Sequence, residues 1–576
     1  MQSARTCLNQ QKEGFFFKKG KEPFFVYRMK NALHAARICY KIGAELYYDK
    51  RSPGAAMNQK QTAFQKAVTR LPELSAFCCA ILMLCVIPLY FDNAFFNINR
   101  CKVHLIRMIV PGLCAFMAFF LIGKHVIFKE SIFSKPFASD IAMGFFLFAC
   151  TISCAMQGFN ESVLEGTSGR NLGLWLMLSL GCTYYVIALG CLDGRLLTGL
   201  MLICATLCAG LGIFNGAGLD PLGFYQGIKK GQEVMFFSTI GNFDFFGTYL
   251  VMMFGVASGF LLFANRTVER VLAAVCAVVL ALGMIVSRTD SALVGMFLID
   301  LTLFVLAGGQ FMRMACASAL SAVCFAQLPA GRFLLSISPY HPVMDGIAQM
   351  LLETHAAHIL SAVLLLTALL FIVLARRGIR APSRRLLGRI AITILIAALV
   401  LFLALVIWFT VYDTETDLGS LTTLLRFDDM WGSVRGFVYK RSFRAFSDYS
   451  PAEKLFGKGL GQTLAILTPY CDNQAAIDSA GGVFTDAHCQ PLQFLLTCGL
   501  VGAAAFLAFY ASMLLMLLKQ MKRDSLLCGI FAALIGYSVV MMLNVAQPIL
   551  LSTYFPLCAL ALSRIRRLTK GASHES

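Results

Sequence analysis

Charge is what this sequence has least of. Only 14% of its 576 residues are charged and 58% are hydrophobic, whereas about a quarter of an ordinary soluble domain is charged. With a mean hydropathy of +0.72, that shortage excludes a soluble globular chain. Nucleotide machinery is missing too. There is no Walker loop and no GxGxxG opening a helix, so any nucleotide-driven step would have to come from another protein. Cysteine is plentiful, at 21 residues, but organised cysteine is not. Most lie in apolar runs such as SAFCCAILMLC (75–85), without metal-ligand or disulfide spacing, where Cys packs as a small hydrophobe. Cys471 and Cys489 are the one pair placed where a disulfide is an option. No apolar h-region follows a short basic start, so no signal peptide is read.

What is there is a long series of apolar runs. From residue 75 onward they recur at roughly 17–25 residues, the length that spans a bilayer as a helix. The runs predict an all-α polytopic membrane protein of fourteen helices, within a range of 12–14: 75–91, 106–128, 137–156, 172–191, 196–216, 245–264, 269–287, 290–308, 312–335, 356–375, 388–412, 490–518, 524–546 and 548–563. Pro329 interrupts the ninth, and the final two meet around Pro548. The expected organisation is a basic N-terminal arm (1–72), a membrane domain of about eleven helices (73–412), a long loop (413–489), three C-terminal helices (490–563) and a short tail (564–576). The arm contains FFFKKGKEPFF (15–25), which suits either contact with anionic lipid through basic and aromatic residues or a plain extension.

The formal net charge of +18 is where a soluble chain would point to nucleic acid. Here it follows the positive-inside rule instead, and no nucleic-acid partner is expected. The loops ANRTVER (264–270), ARRGIRAPSRRLLGR (375–389) and KQMKRD (519–524), with the tail SRIRRLTK (563–570), all fall on the side of the basic N-terminus. The long loop 413–489 is thereby expected outside the cell membrane, with both ends of the chain inside.

Charges away from the basic loops are few, and a charge near hydrocarbon usually has a task. Arg170 stands in EGTSGRNLGLW (165–175), at a helix start. Lys229 and Lys230 precede MFFSTIGNFDFFGTYL (235–250). Arg288 occupies the tight turn IVSRTDSALVG (285–295). Arg435 lies in RFDDMWGSVRGFVYKRSFRAF (426–446), with Lys440, Arg441 and Arg444 beside it, and FTDAHCQPLQFLLTCGLVG (484–502) brings Asp486 and His488 to the mouth of a helix. Each has a plainer reading: a snorkelling Arg, the solvated face of an amphipathic helix for at least two of Lys440, Arg441 and Arg444, a capping His. Together they suit an anionic, membrane-bound ligand. Guanidinium groups give bidentate contacts to phosphate, and an imidazole takes a proton from a hydroxyl near neutral pH.

The ordered set STIGNFDFFGTYL (238–250), SRTDSALVG (287–295), WGSVRGFVYKRSFRAF (431–446), LFGKGLGQT (455–463) and DAHCQPLQFLLTCGLVG (486–502) resembles the O-antigen ligase and polymerase family, with EGTSGRNLGLW joining it. The resemblance covers roughly 165–560. It implies a metal-independent GT-C type glycosyltransferase in cell-surface polysaccharide biosynthesis. Such an enzyme uses an undecaprenyl-diphosphate-linked glycan as donor and a glycan, lipid or wall-polymer hydroxyl as acceptor, with no cofactor. By that resemblance Arg288 and Arg435 contact the diphosphate and His488 is the base. Arg170, Asn242, Tyr439, Lys440 and Asp486 would be substrate-binding, Tyr439 standing near the family's aromatic. The family's His-Asn is His488-Cys489 here, which leaves the orientation of the acceptor open. Gly457, Gly459 and Gly461 match a Gly-rich turn, read as a backbone constraint rather than a phosphate loop. No metal is required if the arginines supply the positive charge, although Asp428, Asp429 and Asp486 keep a cation as an alternative.

A flippase of lipid-linked oligosaccharides is the rival from another class. It too would have many helices and cavity-facing arginines. Transporters commonly show internal repeats, and none is evident between the two halves of this chain; nor does transport need a long external loop ending in His. Ligase and polymerase share a donor and differ only in acceptor. The orientation is testable directly. In a cysteine-depleted background, an impermeant thiol reagent should label cysteines introduced near residues 420 and 475 and leave one near 380 unlabelled. The reverse pattern would place the loop, and the proposed chemistry, on the other side.

Overall fold

The structure, a computed structural model, describes residues 70–128, 135–167, 169–342, 344, 346–474, 477, 484–521 and 524–574. Of the basic arm at 1–72, residues 1–69 lie outside the described residues. Among them, thirteen helices are long and apolar enough to cross a membrane, and a fourteenth, Leu174–Leu189, is shorter but apolar. The chain is therefore an all-α polytopic membrane protein. We number the spans α1 (Arg70–Leu89), α2 (Ile98–Phe128), α3 (Ala138–Met156), α4 (Leu174–Leu189), α5 (Arg195–Gly216), α6 (Phe243–Phe263), α7 (Thr267–Val286), α8 (Asp290–Ala307), α9 (Phe311–Ser336), α10 (Ala356–Arg376) and α11 (Arg384–Tyr412). After the loop helix α12 (Trp431–Ser447) come α13 (Gln490–Gln520), α14 (Ser525–Leu543) and α15 (Pro548–His574). In hydrocarbon a backbone must satisfy its own polar groups, which is why each apolar run is a helix. The break expected at Pro329 is real: α9 consists of Phe311–Ala326 and Leu328–Ser336, with Gln327 between them.

Burial separates the spans into two kinds. In α6, 94% of the apolar window is buried inside the protein and in α15 all of it is, against 11% in α10 and 6% in α11. The first pair forms the core, and the second faces lipid. The α6 sequence GVASG places Gly255 and Gly259 four residues apart on one face, opposite Gly529 and Ala533 of α14. A Cβ added at Gly259 would come 2.3 Å from Gly529 Cα, and one at Gly255 2.5 Å from Ala533 Cα. Small residues at this spacing let two backbones approach within van der Waals contact. A buried lysine closes α1: the Lys102 ammonium donates to the carbonyls of Ile87 (2.6 Å) and Pro88 (3.2 Å) in the last turn, where carbonyls lack the usual i+4 partner.

The helices leave two unlike ends. One gathers the loops around 193, 266, 309, 382 and 524, where Gly309 N donates to Pro382 O at 2.8 Å. The other carries the residue 165–173 segment and the turn at Arg288. It also carries the two-residue antiparallel strands β1 (Phe236–Phe237) and β2 (Gly241–Asn242), and the long segment between α11 and α13. Within that segment the glycine turn is docked on α13. Gly499, at φ +68°, kinks α13; Leu496 O accepts from Lys458 N (3.2 Å) and Thr497 O from Gly459 N (3.0 Å). A Cβ on Gly457 would sit 2.4 Å from the Thr497 backbone, and one on Gly499 2.3 Å from Leu455 O. The glycines serve close backbone approach. Cys471 and Cys489 are both free thiols.

Candidate active site

The site is assembled at the N-terminus of α6. Asn242 caps that helix, its side-chain oxygen accepting from Asp244 N at 2.9 Å, and β2 fixes its backbone by pairing with β1. A capped helix start carries partial positive charge, which favours an anion there. Phe243 lies under the Arg288 guanidinium, 5.5 Å from it, in cation–π range. Arg288 Nη2 donates to Val234 O at 2.7 Å, tying the turn between α7 and α8 to the segment ahead of β1. Asp244 is half-buried, hydrogen-bonded to Thr289 and within electrostatic reach of Arg435, His488 and Asp486.

Arg435 is anchored from α14. Its Nε donates to Leu543 O (2.8 Å), Nη1 to Gly432 O (2.5 Å) and Nη2 to the side-chain oxygen of Asn544 (3.4 Å). A guanidinium has five N–H groups, so two remain for a ligand. Asn544, buried at the break between α14 and α15, donates in turn to Thr248 Oγ1 (3.2 Å) and Ser291 Oγ (3.1 Å). One amide thus joins α6, α8 and Arg435. Ahead of Arg435 the backbone makes a left-handed turn, with φ of +58° at Gly432, +58° at Ser433 and +72° at Val434.

His488 and Asp486 stand at the mouth of α13. Asp486 is almost fully buried: one carboxylate oxygen lies 2.8 Å from His488 Nδ1 and the other 2.5 Å from Arg170 Nη2. Arg170 Nε also donates to Thr485 Oγ1 at 2.7 Å. Burial by itself would raise the Asp486 carboxyl. The charges of His488 and Arg170 and the hydrogen bonds from His488 outweigh it and hold the group well below the usual carboxylate range. The imidazole is 34% exposed where its acid is 2% exposed, so the acid is enclosed and the ring reaches out. The loop is braced from α13 by Gln493, whose side-chain oxygen accepts from Ala487 N at 2.8 Å. His488 has φ +49° and Arg288 φ +60°; non-glycine residues in this region cost of order 1–3 kcal/mol and cluster at functional sites.

The other expected site residues divide. Tyr439 Oη lies within hydrogen-bonding distance of the carbonyls of His488 (3.2 Å) and Met542 (3.1 Å), bracing α12 against both. Lys440 pairs with Asp429 at 3.2 Å; Arg441 pairs with Asp429 (3.1 Å) and Asp472 (2.5 Å), and Arg444 with Asp472 (3.7 Å). These three cations form an acid-paired face of α12. Lys229 and Lys230 are exposed. Asp244 and Asn544 escaped the sequence reading. An acid in a helix's first turn looks like ordinary capping, and the signal for Asn544 is an amide where two apolar helices break before a proline. Among the described residues, no group of three or more His, Cys, Asp and Glu side chains could hold a metal ion.

The depressed Asp486 carboxyl has a pH consequence. A group whose folded-state pKa lies below its unfolded value adds stability above the unfolded value, near 3.9, and loses it as pH falls. Asp486→Asn should therefore lower stability at pH 7, on the order of 2 kcal/mol for a buried charge-assisted contact. The gap between variant and parent in melting temperature should narrow as pH drops below about 4. A gap unchanged between pH 7 and that range would mean that Asp486 is not held ionised.

Residues 343–507 match the family described as O-antigen ligase, a segment that opens ahead of α10 and closes within α13. It contains Arg435, Tyr439, Asp486 and His488. No curated protein matches the chain. The match supports a function of the ligase or polymerase type in polysaccharide biosynthesis, on lipid-linked glycans, with a membrane glycosyltransferase-like enzyme as its agent. Over residues 343–507 the chain thus matches the O-antigen ligase family, within a membrane protein that has thirteen helices long and apolar enough to span a bilayer among its described residues.

Proposed function

We propose that the protein transfers a glycan from an undecaprenyl-diphosphate carrier to an acceptor hydroxyl at the extracytoplasmic face of the membrane. The observation that carries this reading is the chain of contacts Arg170–Asp486–His488; Asp244, at the start of α6, lies within electrostatic reach of both His488 and Arg435. An ionised Asp486 whose carboxylate lies 2.8 Å from Nδ1 favours the tautomer with its proton on that side, leaving the Nε2 lone pair to act. This is the orienting-acid logic of activated nucleophiles.

The acceptor O–H gives its proton to His488 Nε2 as its oxygen forms a bond to the anomeric carbon. The bond from that carbon to the carrier oxygen breaks, and its electron pair leaves on the diphosphate. Arg288 and Arg435 hold the diphosphate and stabilise the charge that develops there, already oriented before reaction. The α6 N-terminus adds its partial positive charge. Attack opposite the leaving group inverts the anomeric carbon. Asp244 and Asn544 are positioning residues between the two arginines and the base, and no metal enters this scheme.

The roles separate experimentally. With purified lipid-linked donor, His488→Ala should lose transfer by roughly a hundred- to ten-thousandfold, the usual worth of general base catalysis, while donor binding stays near the parent value. Arg435→Lys and Arg288→Lys keep the charge but lose the bidentate fork, and should lose donor binding together with transfer. A stable His488→Ala protein that transfers at the parental rate would end the general-base assignment, and full activity in both Lys variants would end the clamp.

A further inference from the structure

A cavity lies at the opposite end, among the basic loops. It has a volume of about 270 Å³ and is lined by Arg195, Arg266, Arg313, Arg384 and Arg564. Three acids share the wall: Asp193, Glu269 and Asp524. Two of them are already used, because buried Arg564 pairs with Asp193 at 2.5 Å and with Asp524 at 2.7 Å. The side chains of Arg195, Arg266 and Arg384 make no hydrogen bond or ion pair among the described residues. Arg313 has only the Phe263 ring, 5.2 Å away.

The local backbone adds to the imbalance. Arg195 is the first residue of α5, Arg266 the N-cap of α7 and Arg384 the first residue of α11, while Arg313 lies in the first turn of α9. A cation at a helix N-terminus opposes the helix dipole. Four such cations face one concavity, and Glu269 alone is left to offset them. Positive-inside charge accounts for arginines at this end; it does not account for their convergence, unpaired, on a cavity floored by a buried, already paired arginine. Guanidinium forks gathered in this way match phosphate oxygens, and basic pockets between helix ends on this side of a membrane take anionic lipid headgroups.

We propose that this cavity binds a phosphate-bearing anion, on the opposite membrane face from the catalytic residues. Its phosphate would bridge the N-terminal ends of α5, α7, α9 and α11, offsetting the charge they concentrate. The chemistry is shared by an anionic phospholipid headgroup and by free phosphate, and the two sources are separable. The full-length protein, delipidated in neutral detergent, is titrated with phosphatidylglycerol in mixed micelles, with phosphatidylcholine at the same concentration, and with inorganic phosphate. The melting temperature is read in each arm. Phosphatidylglycerol should raise it saturably and phosphatidylcholine should not; a rise with inorganic phosphate of equal size would assign the site to the soluble anion. The triple variant R195Q/R266Q/R384Q, which breaks no ion pair, should need at least about tenfold more anion, the factor that losing even one hydrogen bond to a charged group is worth. Glu269→Gln should shift the midpoint the other way, to tighter binding. No anion-specific rise in the parent, or a triple variant and a Glu269→Gln variant that both titrate like it, would overturn the site.

Discussion

The candidate active site depends on one buried charge. Asp486 is a carboxyl enclosed in the protein and held well below the usual carboxylate range, and a buried charge is tolerated only when it is paired and hydrogen-bonded. Its two oxygens are divided between a residue 316 positions earlier, Arg170, and the ring of His488. That division locks the segment before α4 to the segment before α13 and gives the imidazole one orientation. The same seam is stitched beside it: Thr167 Oγ1 donates to Gly461 O, and Gly459 N donates to Ser153 Oγ at 2.9 Å. The glycine turn, the kink at Gly499 and the braced loop all serve to hold one carboxylate in place, so that His488 presents a nitrogen to the surface.

Around this centre the protein places cations by two different rules. At the site end Arg288 and Arg435 are each tied to backbone carbonyls and linked through the α6 terminus and Asn544. Held in this way they fit the proposed clamp, because electrostatic stabilisation of a leaving group needs charge that is already in place. At the basic end the arginines are numerous, and three of those lining the cavity lack partners among the described residues. Preorganised charge at one face suits chemistry; concentrated, uncompensated charge at the other suits binding.

Most of the fold was legible because a membrane span is written locally. All fourteen expected runs are helices, even the short Leu174–Leu189, since hydrocarbon leaves the backbone no alternative. The site was legible where a charge breaks an apolar pattern, as at Arg170, Arg288 and His488. It was hidden where polarity is ordinary for its local setting: Asp244 passes for a helix-start acid and Asn544 for a turn residue. Long-range pairing was hidden too. Nothing in the spacing of Lys440, Arg441 and Arg444 shows that Asp429 and Asp472 take up that face. The Arg170–Asp486 contact joins segments related only through the fold.

The central claim is a single in-line displacement in which His488 removes the acceptor proton while the arginines hold the departing diphosphate. The most direct measurement is the anomeric configuration of the new linkage, read by NMR on product made by the purified protein from a lipid-linked donor of known configuration. A single displacement predicts inversion at the anomeric carbon. Retention would demand a covalent intermediate or front-side departure, and would contradict the role assigned to His488.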